Sequence, residues 1–206
     1  MKFAAFVSGC TLAASLVLPT RAQVSPSAVG GSQTSPWWVS WEMGAGQLKL
    51  SSDQLQDGRS TTFAMGFTGG YRPVDMVRVG LHVNGWLLQM FDYNDPTVGE
   101  SVSNMGGVVD VFPARHSPLF ARAGFGHSMY TNRRPLGVDG GGSGWEAGGG
   151  YEIPIRGRIR LVPMVEWAAG RLGSGSPDTL ALQTGLHYSV VEFKLTVVGN
   201  FGHRRR

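Results

Sequence analysis

The chain is poor in the groups that usually staple or solubilise a small protein. Its 206 residues include one cysteine, Cys10, and only 16 % are charged. Lysine is scarcer still, appearing after the N-terminal segment only as Lys49 and Lys194. A lone cysteine excludes an internal disulfide framework. Past that segment no apolar run is long enough for a transmembrane helix, which needs roughly 20 residues. The 3.6-residue periodicity of an amphipathic helix is also missing. What is abundant is glycine, 31 residues, with no three-residue period, so a collagen helix is excluded. With 10 % aromatics and a formal charge of +4, ordinary disorder is excluded too.

The first residues read as a secretory signal peptide. Lys2 supplies a short positive region, Phe3 to Leu18 is apolar or small, and Thr20-Arg21-Ala22 offers small residues before a cut after Ala22. Val7-Ser8-Gly9-Cys10 resembles a lipoprotein cleavage box, but the apolar run continues past the cysteine, which favours cleavage after Ala22. Removing residues 1–22 takes away the only cysteine, as suits an oxidising compartment. It also removes Lys2 and Arg21, which lowers the charge from +4 to +2. Arg204, Arg205 and Arg206 supply more than that, so the body is nearly neutral. Nucleic-acid binding needs a basic face rather than a basic tail and is not expected.

Period-two alternation marks the rest of the chain. Strands are predicted over 37–46, 61–71, 76–90, 102–112, 119–130, 145–155, 158–169 and 179–190. The clearest is Val77, Val79, Leu81 and Val83 against Arg78, Gly80, His82 and Asn84. Long connections (47–60, 91–101, 131–144, 170–178) alternate with short ones. That pattern predicts an all-β fold, an eight-stranded antiparallel up-and-down transmembrane β-barrel with long outer loops and tight periplasmic turns. Its domains are a signal peptide (1–22), an N-terminal periplasmic segment (23–36), the barrel (37–190) and a C-terminal segment with a basic tail (191–206). Within that last segment Phe193, Leu195 and Val197 alternate with Glu192, Lys194 and Thr196, so it can also extend or replace the last strand.

One face of the strands is apolar and almost uncharged. The other carries Glu42, Arg78, Asp110, Arg122, Glu146, Glu152, Arg158, Arg160 and Glu166. A soluble sandwich also alternates, with its charges in water. The scarcity of lysine and the pairing of arginine with acid favour the inverted arrangement, because guanidinium meets carboxylate in a planar fork suited to burial. The nine residues are therefore predicted to form an ion-pair network in a narrow lumen. Aromatics near strand ends are expected at the lipid–water interfaces. Trp37, Tyr71, Phe112 and Tyr188 are assigned to the periplasmic end, and Phe63, Phe91, Tyr130, Trp145 and Trp167 to the outer end.

A Gly-rich strand, a tight basic turn and a second strand with a central proline follow one another in Gly148-Gly149-Gly150-Tyr151-Glu152-Ile153-Pro154-Ile155-Arg156-Gly157-Arg158-Ile159-Arg160-Leu161-Val162-Pro163-Met164-Val165-Glu166. With the signal peptide, this resembles the small bacterial outer-membrane β-barrel proteins of the OmpA transmembrane-domain and OmpX type, over about residues 36–190. The resemblance implies the outer membrane, a monomer, and a fold rather than a task. Such barrels usually end on an aromatic residue of the last strand; here 18 residues follow Tyr188.

The expected role is structural or interactional, with four surface loops and with lipid and lipopolysaccharide as partners. An extracellular partner for the loops is left open. The alternatives are a narrow pore or a barrel binding a small apolar ligand, and a lipid-modifying enzyme. For the last, His127-Ser128 and Glu146 offer the residue types of acyl transfer. Neighbours on a strand point to opposite faces, so no catalytic role is expected. Asp92-Tyr93-Asn94-Asp95, Asp139 and Asp178 offer oxygen ligands, but no calcium-loop spacing. Arg133 and Arg134 can meet phosphates or solvent. No cofactor and no metal are expected.

Overall fold

The computed structural model describes residues 36–51, 58–89, 100–132, 139–173 and 185–201. The signal peptide, the segment before residue 36, Phe91 to Asp95, Arg133, Arg134, Asp178 and the arginine tail lie outside them. Among the described residues there are nine strand segments: β1 (Trp37–Ser51), β2 (Gly58–Val74), β3 (Val77–Gln89), β4 (Glu100–Val111), β5 (Leu119–Asn132), β6 (Asp139–Tyr151), β7 (Ile153–Arg156), β8 (Ile159–Leu172) and β9 (Leu186–Phe201). Each pairs antiparallel with its neighbours, β6 and β7 both pair with β8, and β9 returns to β1. The ring therefore closes as an eight-stranded up-and-down barrel, with β6 and β7 as two parts of the sixth strand. Closure leaves no sheet edge, which is what allows a sheet to cross lipid.

The split in the sixth strand has a local cause. The β6–β8 ladder stops at Gly150 opposite Met164, and pairing resumes at Ile153 opposite Leu161. Pro163 lies in the gap and has no N–H to donate. The N–H of Glu152 bonds instead to the Pro118 carbonyl at 2.8 Å. The turn that follows has Gly157 at φ 58, a left-handed conformation that glycine adopts without strain.

Residue parity describes the whole wall. Every buried hydrophobic or polar side chain among the described residues has an even number, from Trp38 to Val198. Odd positions carry the exposed apolar belt, including Trp41, Phe67, Leu81, Phe125, Val165 and Phe193. Leu81 is 75 % exposed and Phe125 68 %, a surface that needs lipid rather than water as solvent. Apart from the four-residue β7, the strands have 12 to 17 residues and exceed the roughly 9–11 required to span.

The last strand corrects the domain boundaries. It runs over Leu186–Phe201 rather than 179–190, so the barrel continues past residue 190 and takes in most of the expected C-terminal segment. Residues 179–184 lie outside the described residues. Fifteen residue pairs align β9 with β1, from Trp37↔Phe201 to Ser51↔His187. Both alternating stretches have strand patterning, and only the second places Glu192 and Lys194 among partners inside the lumen. The strand consequently ends on an exposed aromatic, Phe201.

Candidate functional site

The lumen is filled in three layers. At the end holding the short turns, Trp38, Phe112, Phe120, Val162 and Val198 form an apolar cluster. At the loop end, Leu48, Trp86, Val102, Leu172, Tyr188 and Val190 belong to a larger one. Between them lies a continuous chain of ion pairs. Arg160 reaches Glu152 (3.4 Å), and Glu152 meets Arg78 (2.6 Å). Arg78 bonds Asp110 (3.0 Å), which receives Arg122 on both oxygens (2.7 and 3.3 Å). Arg122 also donates to Glu42 (2.9 Å).

Lys194 is the hub. Its Nζ lies 2.9 Å from Glu166, 3.0 Å from Glu42 and 3.3 Å from Glu192, and all four side chains are buried. Glu192 continues the chain by accepting from Asn84 Nδ2 (3.0 Å) and the Trp86 indole (2.9 Å). His82 joins a second branch, with Nδ1 at 2.7 Å from Glu146 and Nε2 at 3.5 Å from Glu42. Thr68 donates to Glu42 as well (3.0 Å). Burying a charge costs several kcal/mol unless it is paired and hydrogen-bonded. Here each carboxylate of the network faces at least one cation or histidine.

Aromatic faces complete the turn end. The Arg78 guanidinium lies 4.8 Å from the Trp38 ring centre, 4.7 Å from Phe112 and 5.1 Å from Phe120. Such contacts strengthen when desolvated. Room for the bulk comes from glycine directly opposite it on the adjacent strand, Gly124 beside Glu146 and Gly150 beside Phe120. A Cβ at Gly124 would lie 2.7 Å from Glu146 Cγ, and one at Gly150 would lie 2.9 Å from the Phe120 ring. Gly107, on the lipid face, has only a carbonyl at 4.0 Å.

Of the nine residues expected in the network, eight take part in it. Arg158 does not. It is exposed in the β7–β8 turn, where the alternation that assigned it no longer reports a strand face. Its carbonyl accepts from Asn200 N at 3.2 Å. Glu192, Lys194 and His82 are the members missing from the expected set. The first two belong to the segment placed after the barrel, and His82 carries no formal charge in a count of acids and bases although its inward position is readable.

The interfacial aromatics divide by parity. Trp37 and Tyr71 are exposed and meet edge to face at 5.1 Å; Trp145 and Trp167 do likewise at 4.4 Å. Phe112, Tyr130 and Tyr188 are instead buried in the lumen. Strand-end position suggested a girdle for them, but they share the parity of Asp110, Arg122 and Glu192. Tyr188 moreover stands at the loop end, where its hydroxyl shares a hydrogen bond with Ser128 (2.8 Å). Tyr130 donates to Glu100 (2.7 Å).

Ser128 is buried between Tyr188 and Asn104, whereas His127 is exposed on the outer face. Glu146 is engaged with His82. The three residues are therefore not assembled around one reacting centre. Among the described residues no group of three or more His, Cys, Asp or Glu is arranged to hold a metal.

A closed up-and-down barrel with a charged interior and an apolar exterior defines a transmembrane β-barrel of the outer-membrane type. A solved structure shows the same fold. Neisserial surface protein A aligns over 80 % of this chain and 97 % of its own, at 17 % identity and a TM-score of 0.52. Ail, the attachment invasion locus protein of Yersinia pestis, aligns over 79 % of this chain and 99 % of its own, at 8 % identity and a TM-score of 0.48. No protein-family model and no curated protein sequence matches the chain.

Proposed function

We propose that this chain is a monomeric outer-membrane barrel whose role is structural or interactional: it anchors in the bilayer as a sealed cylinder and presents four loops to the exterior. The observation that carries this reading is the lumen. Apolar clusters close both ends, and the ionic layer between them is buried and mutually paired, with Glu42, Asp110, Glu166 and Lys194 at 0 % exposure. Such a core holds the eight strands in register and, among the described residues, places apolar side chains across both ends of the ionic layer. Export through the signal peptide and residence among phospholipid and lipopolysaccharide follow from the same reading. No reaction is assigned to the chain.

The test is expression of the full chain in a Gram-negative host, followed by separation of the two membranes. The protein should co-fractionate with outer-membrane markers and migrate faster on gels unheated than boiled. Recovery in the soluble fraction would refute the reading. A second reading, a barrel that holds a small apolar ligand, draws on one observation. A groove of about 290 Å³ lies beside the interrupted sixth strand, lined by Phe120, Gly150, Tyr151, Pro163, Met164 and Phe193 among others. Filling the groove from its exposed lining, with Val165→Trp, would abolish uptake of such a ligand and leave a purely structural role intact.

A further inference from the structure

Among the described residues the outward face carries Lys and Arg near the loop end of one wall only. Along β8, β9, β1 and β2 the apolar belt gives way first to Ser189, Gln47 and Thr61, with the Trp167 indole donating to Ser189 (2.8 Å) and Gln47 to Thr61 (3.0 Å). An indole bonded at the edge of the belt marks the lipid–water boundary. One step further out stand Arg171, His187, Lys49 and Arg59. The register joins them laterally: Arg171 pairs with His187, His187 with Ser51, and Lys49 with both Ser189 and Arg59. All four have odd numbers and so share the outer face; Arg59, Arg171 and His187 are exposed and Lys49 is partly exposed. On the other half of the barrel, no Lys or Arg occupies an outward position of β3, β4, β5 or β6 among the described residues.

We infer that Lys49, Arg59, Arg171 and His187 form a binding site for the phosphate groups of an outer-leaflet phosphorylated glycolipid. The cluster lies at headgroup height and is continuous with the lipid-facing belt below it, so a ligand with both acyl chains and anionic phosphates satisfies the two surfaces together. Guanidinium groups on adjacent strands can grip phosphate oxygens through parallel hydrogen bonds. The confinement to one wall makes this a local site rather than a uniform ring. The inference rests on the outer-membrane orientation proposed above.

The experiment uses the full chain, folded in detergent and titrated with bisphosphorylated lipid A, its dephosphorylated counterpart, or phosphatidylglycerol, with bound lipid read by native mass spectrometry. Bisphosphorylated lipid A should be retained in preference to both others. Arg59→Gln with Arg171→Gln should weaken its binding about thirtyfold, from about fivefold per basic group at a membrane surface. Arg59→Lys with Arg171→Lys should keep most of it, and Arg156→Gln with Arg158→Gln, at the opposite end, should change nothing. Equal retention of phosphatidylglycerol, or an equal loss with the turn variant, would overturn the site. So would unchanged binding by the Gln variant. A wild-type chain that shows no heat-dependent shift in migration would refute the membrane-barrel reading instead, and a folded chain that ignores lipid A refutes the site alone.

Discussion

Replacing Lys194 with methionine tests the energetics of the lumen most sharply. The substitution keeps length and apolar stem and removes only the ammonium. Three carboxylates, Glu166, Glu42 and Glu192, then lose a cation that lies 2.9–3.3 Å away in a fully buried site. Glu192 keeps Asn84 and Trp86, and Glu42 keeps Arg122, but Glu166 is left with Arg122 at 4.0 Å. Breaking a buried pair by removing one partner costs about 3–5 kcal/mol, because the remaining charge stays desolvated. The upper part of that range applies here, since the hub serves three acids. Adding Glu166→Gln to the lysine variant removes the carboxylate with the fewest other partners and should recover about 1–2 kcal/mol, a non-additive result expected of contacting groups. The assay is urea titration of the protein folded into lipid vesicles, with the folded fraction read from the fast-migrating unheated band. A loss below about 1 kcal/mol, the range of solvent-exposed ion pairs, would refute the claim that the layer is dry and interdependent.

Three further outcomes follow from the same geometry. Gly124→Leu should destabilise the barrel by about 1–3 kcal/mol through overpacking against Glu146 and Val108, whereas Gly107→Leu on the lipid face should be nearly neutral; the urea titration compares them. Phe125→Arg, in the middle of the exposed belt, should cost about 2–4 kcal/mol in vesicles, and an unchanged stability would mean that water, not lipid, bathes that face. His127→Ala should leave the acylation of lipid A unchanged by mass spectrometry, because its ring and the Ser128 hydroxyl stand on opposite faces; an altered acyl pattern would show a catalytic role.

Much of the wall is readable from alternation, because a lipid-facing strand must be apolar at every second residue and the lumen cannot be. Seven strands follow, with ends that fall short where polar residues carry the wall beyond the bilayer, as in Gln47 to Ser51. The last strand is not readable locally. Leu180 to Tyr188 and Val191 to Phe201 both alternate, and the choice is made by the long-range match of β9 to β1, which a single chain reading does not contain. Lys194 and Glu192 were hidden by the same ambiguity. Phe112, Tyr130 and Tyr188 carry a different lesson. Their parity with Asp110, Arg122 and Glu192 is visible in the sequence and outweighs their position near strand ends. Contacts such as His82 with Glu146, or Arg78 with Glu152, depend on the shear of the barrel and are beyond any pattern of neighbours.

The central claim is that the lumen is sealed. Refolded full-length protein inserted into planar lipid bilayers tests it directly. Two apolar plugs and a paired ionic layer predict a silent membrane, with no discrete current steps across a range of voltages and salt concentrations. Reproducible unitary conductance that changes on Lys194→Met or Trp38→Ala substitution would contradict the account and establish a water-filled path through the barrel.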